Sequence, residues 1–250
     1  FCTFAKICFN ALSHIKSFVR SVFRILHLDI TQNMRYDRMT ETIMRRVIQH
    51  NSNCIDIGCH KGEILDIMLE LAPDGNHTAF EPIPVFYNAL VEKYKSKAVI
   101  LPYALSDKNG SADFQYVKNA PAYSGLRKRE YTVDPDIEVI SVEVKKLDDL
   151  SAGQKVNLIK IDVEGAELNV LQGAINMLRA EKPYVIFEFG MGASNYYEST
   201  PEKMFQLLCV DAGLKISTLK SFVSGKGALS AVDFQKLYEN QTEYYFIAHS

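Results

Sequence analysis

The sequence predicts an α/β fold: a mostly parallel sheet of seven strands with helices on both faces, extended by an N-terminal amphipathic helix and an inserted β-hairpin. Three observations carry the prediction. Short β-branched apolar runs alternate with helix-spaced apolar patterns from Cys54 onward, as parallel strands joined by crossover helices require. Residues 158–173 pass from a buried strand through an acidic turn into a helix, with Leu168, Leu171, Ile175 and Leu178 at helical spacing around and behind Gly165; this is half of a βαβ unit. Finally, 250 residues without repeats or long Gly/Ser/Pro linkers suit one α/β domain with small elaborations.

At the N-terminus, Phe4, Ile7, Ala11, Ile15, Phe18, Val22 and Ile25 recur at helical spacing among Lys6, Lys16, Arg20 and Arg24, so residues 1–28 read as a basic amphipathic helix. Met39 to His50 suggests a second helix. Residues 1–50 are therefore expected to be a helical extension and 51–250 the principal domain. In that domain the order is strand Asn53 to Ile57, helix Glu63 to Leu71, strand His77 to Phe80, helix Val85 to Tyr94 and strand Ala98 to Leu101. Ala112 to Val117 and Ile137 to Val144 are β-rich and enclose a polar loop containing Pro121, Gly125, Arg127, Lys128, Arg129 and Pro135, an inserted hairpin with a mobile loop. Strand Val156 to Ile161, strand Tyr184 to Phe189, helix Pro201 to Asp211, strand Leu214 to Leu219 and strand Glu243 to Ala248 complete the series, the last two strands pairing with each other.

Apolar residues at 47% and a net charge of -2 describe an ordinary soluble globular chain with no basic excess that demands nucleic acid. The four cations of residues 1–28 leave 24 basic against 30 acidic residues in the remainder. That helix can dock on an anionic membrane surface as a peripheral contact, fold back on the body, or self-associate, but its interrupted apolar face is no transmembrane span. Cys2, Cys8, Cys54, Cys59 and Cys209 are odd in number and lack metal-ligand spacing, which with no legible secretory signal points to a reducing cytoplasm.

The chemistry concentrates at strand ends, where ligands of open α/β sheets bind. Ile55-Asp56-Ile57-Gly58-Cys59-His60-Lys61-Gly62-Glu63 leaves a strand and opens a helix, a place where glycines let backbone approach a ligand. The middle glycine of a dinucleotide fingerprint is missing. Asp56, two residues before Gly58, would repel a pyrophosphate and attract the sulfonium and ammonium of S-adenosylmethionine. Glu81, nineteen residues past Gly62, is placed to take both ribose hydroxyls of a bound nucleoside. Ala104 and Leu105, after the third strand, fall near the expected adenine.

Ile159-Lys160-Ile161-Asp162-Val163-Glu164-Gly165-Ala166-Glu167 with Val170-Leu171-Gln172-Gly173-Ala174, preceded by Asp56-Ile57-Gly58, Phe80-Glu81-Pro82 and Ala104-Leu105-Ser106-Asp107 and followed by Tyr184-Val185-Ile186-Phe187-Glu188, resembles the FkbM-type methyltransferases. The resemblance runs from about Cys54 to Phe189; His60 stands where relatives often have Asn. It implies a Rossmann-like class I methyltransferase fold and an S-adenosylmethionine-dependent O-methyltransferase acting on hydroxyls of sugars, glycolipids or other natural products. The donor-contacting set is then Asp56, Gly58, Cys59, His60, Gly62, Glu81, Pro82, Ala104, Leu105 and Asp162. A binding module that kept the fold without catalysis, and a nicotinamide-dependent oxidoreductase, are the competing readings.

Methyl transfer to oxygen needs alignment, exclusion of water and a base for the hydroxyl proton. Asp162 is the first candidate for base or substrate orienter, Glu188 the second and His60 the third. Their structural alternatives are a helix cap at Asp162, an ion pair of Glu188 with Lys160, and a plain polar loop residue at His60; Glu164 and Glu167 are read as favouring the helix N-terminus. The carboxylates can also hold Mg²⁺, although spacing assigns no metal ligand. Tyr123, Arg127, Lys128, Arg129, Tyr131, Tyr196 and Tyr197 fall in loops able to grip a sugar or anionic glycolipid.

Overall fold

The computed structural model describes residues 31–131, 134–151 and 153–250; the basic helix expected over residues 1–28 lies outside them. The principal sheet has the strand order β3-β2-β1-β7-β8-β10-β9, where β1 is Cys54–Ile57, β2 His77–Phe80, β3 Val99–Leu101, β7 Leu158–Ile161, β8 Tyr184–Glu188, β9 Lys215–Thr218 and β10 Tyr245–His249. The β10 strand runs antiparallel between β8 and β9 and the others are parallel. Three further strands, β4 (Tyr103–Leu105), β5 (Gly110–Val117) and β6 (Ile137–Lys145), make a small sheet in the order β4-β6-β5. The inserted hairpin is thus β5 and β6, and Tyr103–Leu105 joins it as a third strand instead of extending the main sheet.

Every residue of β1 and β7 is buried, as strands covered on both faces must be. Alternation divides them: Ile55, Ile57, Ile159 and Ile161 enter the cluster formed with Leu168, Leu171, Leu178, Met204 and Phe234, whereas Cys54 and Leu158 face helices α1 (Gln32–Val47), α2 (Glu63–Leu71) and α3 (Pro84–Tyr94). Asp56 and Lys160 belong by register to that second face, side by side on neighbouring strands. Helix α1 begins seven residues before the expected Met39 because Thr31 caps it, its side chain accepting from the Met34 N–H at 3.2 Å, and because Tyr36, Thr40, Ile43 and Met44 form its buried stripe. The expected helix over 201–211 is an α-helix for Pro201–Phe205 and a π-helical turn for Gln206–Asp211. Two short helices between β9 and β10, Leu219–Val223 and Ala231–Glu239, were not expected; Phe234 of the second is fully buried.

Register sets the functional edge. Ile57 pairs with Phe80 on one side and Ile161 on the other, and Ile161 with Phe187. The next residues, Gly58, Glu81, Asp162 and Glu188, therefore stand in a row at the carboxyl ends, on either side of the point between β1 and β7 where strand order reverses.

Candidate active site

The turn after β1 is built by close approach. A Cβ at Gly58 (φ +78°) would lie 1.9 Å from the Asp162 carbonyl oxygen, so only glycine lets this turn pass the end of β7. The Gly58 and Cys59 N–H groups both donate to the Phe80 carbonyl, at 3.0 and 3.1 Å. At Gly62 (φ +77°) the Tyr94 phenol donates to the carbonyl at 2.6 Å and occupies the space a side chain would need. His60 adopts φ +50°, a conformation that Asn and His enter more readily than most residues.

Glu81 points back into this turn. Its Oε2 accepts the His60 N–H and its Oε1 the Ile83 N–H, both at 2.9 Å, across half-buried Pro82. Burial pushes its carboxyl up to about 7 against those two donors. Asp56 is 2% exposed, its Oδ2 has no hydrogen-bond partner, and burial raises it to about 7 with Lys160 opposing. The His60 ring lies 4.6 Å from Phe86 with Nε2 buried and unpartnered, and burial and then Lys61 lower its basicity, which keeps the imidazole neutral near pH 7. Cys59 serves through its backbone: its side chain is buried among Leu65, Leu90 and Tyr94, and burial drives the thiol far above its ordinary range. Ala104 packs with Ile83, Phe114, Val142 and Val144, and Leu105 enters the main core, so both supply apolar packing beside the loop.

Asp162 is the best-supported side chain of the edge. Its Oδ2 accepts from Lys160 Nζ at 3.0 Å and from the Tyr245 hydroxyl at 2.6 Å. Burial alone would raise it, but the Lys160 charge and the two donors outweigh burial and hold it below the usual carboxylate range. Lys160 bonds Asp162 and the Ile161 carbonyl (3.1 Å), and the alternative of a Glu188–Lys160 ion pair is not formed. Glu188 is pushed well above its ordinary value, by burial first and then by Asp162, Glu164 and Glu167.

In the following turn Glu167 ties the loop ahead of its own helix, its Oε1 accepting the Val163 and Gly165 N–H groups at 3.1 and 3.2 Å, while the helix N-cap, Ala166, makes no side-chain cap. Glu164, at φ +58°, forms an ion pair with Arg129 of the insertion, and burial and then Asp162 still raise its carboxyl to about 8. Arg129 sits 5.2 Å from the Tyr123 ring and 6.0 Å from Tyr131. The Arg127 and Glu130 N–H groups donate to the Tyr197 and Tyr196 hydroxyls at 2.9 and 3.1 Å. These contacts tie Arg127, Arg129 and Glu130 of the loop to the acidic turn and to Tyr196 and Tyr197. Among the described residues no group of three or more His, Cys, Asp or Glu side chains is arranged to hold a metal ion.

Sequence reasoning missed Tyr245 and the partner of Lys160. A lysine inside the otherwise apolar run Leu158–Ile161 was a readable signal, because a buried cation must be paired. Tyr245 had no local signal, since it reaches Asp162 from 83 residues away.

Strand order and a glycine turn beside an acidic edge define the Rossmann-like fold of class I methyltransferases. The sequence profile of the methyltransferase FkbM domain matches residues 56–214, and the chain belongs to that family. It is 30% identical over 118 residues to the hexuronic acid methyltransferase AglP of Haloferax volcanii, covering 47% of this chain and 48% of that one. It is 29% identical over 140 residues to the 2-O-methyltransferase NoeI of Sinorhizobium fredii, covering 48% and 56%. The chain thus spans about half the length of the curated relatives it matches. The crystal structure of an FkbM methyltransferase from Methylobacillus flagellatus KT shares the fold, with a TM-score of 0.51, 14% identity and coverage of 81% of this chain and 44% of that one.

Proposed function

We propose that the chain transfers a methyl group from S-adenosylmethionine to a hydroxyl of a sugar, glycolipid or other natural product. The observation that carries the reading is the concentration of acids at the sheet edge: Asp56, Asp162 and Glu188 lie within the field of one buried cation, Lys160, Glu81 ends the neighbouring strand, and Asp56 Oδ2 has no partner. Burial first and then like charges push three of these four acids upward, a field that a cationic ligand would relieve. A donor with a sulfonium and an ammonium fits that field; the pyrophosphate of a dinucleotide does not. The names of the two relatives, one a hexuronic acid methyltransferase and the other a 2-O-methyltransferase, support sugar oxygen as acceptor.

S-adenosylmethionine, when bound, supplies an electrophilic methyl carbon. The chain supplies the rest. The Gly58–Gly62 turn and Glu81 hold the nucleoside, Glu81 through the lone pairs its two N–H donors leave open, and Asp56 faces the ammonium. Asp162, kept ionised by Lys160 and Tyr245, orients the acceptor hydroxyl. Glu188, raised toward neutrality, is better matched to take the proton than a low-lying carboxylate, with His60 as the remaining candidate.

Asp56→Asn tests the reading because it keeps shape and removes charge. Isothermal titration is expected to show about tenfold weaker S-adenosylmethionine binding, roughly 1.4 kcal/mol, with adenosine nearly unchanged. Equal loss for both ligands, or no loss for the cation, would overturn the electrostatic argument.

A further inference from the structure

We propose that Tyr36 of α1 is a positioning residue of the reacting edge: its ring and hydroxyl fix the start of β10 so that the Tyr245 hydroxyl stays on Asp162. The part given to Asp162 rests on the methyltransferase reading. Tyr36 and Tyr245 both lie outside residues 56–214, the span of the family match, whereas Asp162 lies within it. The site is therefore completed by two residues that the family domain does not contain.

Tyr36 is 1% exposed, and its bonds go to the start of β10. Its ring lies 5.1 Å from the Tyr245 ring and 4.7 Å from the Tyr244 ring between centroids, so both tyrosines pack on it. Its hydroxyl is a junction that donates to Glu243 Oε2 and accepts from the Tyr244 N–H at 3.3 Å and from Gln32 Nε2 at 2.8 Å. One proton given and two received use the capacity of a phenol oxygen. Burial and then Glu243 push this phenol up to about 12, which keeps it a donor through the neutral range. Neighbouring contacts extend the clamp: Gln32 Nε2 also donates to the Thr242 carbonyl at 3.2 Å, and the Tyr244 hydroxyl to Asn33 Oδ1.

The ladder with β8 holds the backbone here, Tyr245 opposite Glu188 and the Phe189 N–H on the Tyr244 carbonyl at 2.8 Å, but it leaves the Tyr245 side chain to its neighbours. Two of them hold the ring, Tyr36 and Lys160, whose Nζ lies 5.0 Å from the ring centroid. A bond of 2.6 Å to Asp162 tolerates little ring motion, since hydrogen bonds weaken steeply with distance and angle. The three tyrosines and Glu188 also wall a cavity of about 190 Å³, so the positioned bond stands beside an opening at the edge.

The groups that act on the Asp162 charge are Lys160, Tyr245 and His60, which lower its carboxyl, and Asp56, Glu164, Glu167 and Glu188, which Asp162 in turn raises. Tyr36 is not among them. Its influence on Asp162 must pass through the placement of Tyr245.

The test follows the Asp162 titration by carboxyl ¹³C NMR in the full chain, without donor or acceptor, for wild type, Tyr36→Phe, Tyr36→Leu, Tyr245→Phe and the two double variants. Tyr36→Phe keeps the ring and loses the hydroxyl junction; Tyr36→Leu loses both. Upward movements of about 0.3 and about 0.7 pH unit are expected, and neither is expected to add to the movement in Tyr245→Phe, where the bond they disturb is already gone. Packing damage alone would lower the melting temperature and either leave the titration in place or add to that of Tyr245→Phe. If Tyr36→Leu does not fold, Tyr36→Phe and its double variant carry the same decision. An unmoved Asp162 in every folded Tyr36 variant, or a movement equally large with Tyr245→Phe present, overturns the assignment. Failure of the wild type to bind S-adenosylhomocysteine in a separate titration overturns the methyltransferase reading instead, and the cycle, which needs no ligand, still decides the coupling of Tyr36 to Asp162.

Discussion

Two donors converge on one oxygen of Asp162, and that decides its charge. Lys160 and Tyr245 both bond Oδ2, and a neutral phenol can only donate there, so Tyr245→Phe removes a stabiliser of the ionised form without altering the ring. The Asp162 titration followed by carboxyl ¹³C NMR is expected to move up by about one pH unit, the size of one hydrogen bond to a charged group; an unmoved titration would mean that Lys160 alone sets the charge. At this scale the sequence was readable where function follows position on a strand. Asp56, Glu81, Asp162 and Glu188 each end or nearly end a parallel strand, and register puts them on one edge. It was not readable where function follows a partner, because which donor meets Asp162 depends on the antiparallel insertion of β10 beside β8.

Two elements hold the edge in shape. The β1 turn crosses the end of β7 so closely that Gly58→Ala combines a left-handed φ with a 1.9 Å clash against backbone. Denaturant unfolding is expected to show a loss of at least about 2 kcal/mol, or no soluble protein. The insertion is fastened by the Arg129–Glu164 pair and by the hydroxyls of Tyr196 and Tyr197. Arg129→Met should therefore raise amide hydrogen exchange in residues 118–131 while β1 and β7 stay protected; equal protection in variant and wild type would show that the tyrosines suffice. Composition alone read this loop as mobile, since polar residues with Pro and Gly describe a loop equally well whether it is free or tied to distant side chains. The start of α1 was missed for a related reason: Thr31 caps the helix locally, but the burial of Tyr36 against Tyr244 and Tyr245 that fixes its first turns is a long-range contact.

Across the whole molecule the buried acids tie stability to pH. Glu167 is 1% exposed and burial raises it to about 7, so the folded state binds a proton more readily than the unfolded chain. That contribution is complete below the unfolded value near 4.5 and is lost as pH rises through about 7. Melting temperature should fall between pH 5.5 and 8, and Glu167→Gln, which keeps the acceptor oxygen for Val163 and Gly165, should flatten the fall, at about 2–4 °C per kcal/mol for a chain of this size. A profile as steep in the variant would assign the dependence to Asp56, Glu81 or Glu164. No helix among the described residues is long and apolar enough to cross a membrane. For residues 1–28 we propose a peripheral membrane contact in the cytoplasm: deleting them should lower co-sedimentation with anionic vesicles and leave S-adenosylmethionine binding intact, whereas a changed subunit mass would make them an association surface.

Sequence by itself determined the layered α/β architecture, the glycine turn and the row of strand-end acids, because hydrophobic period and strand-end position are local properties that survive in one dimension. Tertiary structure alone decided which of those acids is ionised, which is capped by backbone and which opens into a cavity. Charge state and access depend on burial and on partners such as Tyr245, Arg129 and the first turns of α1, brought to the edge from distant parts of the chain.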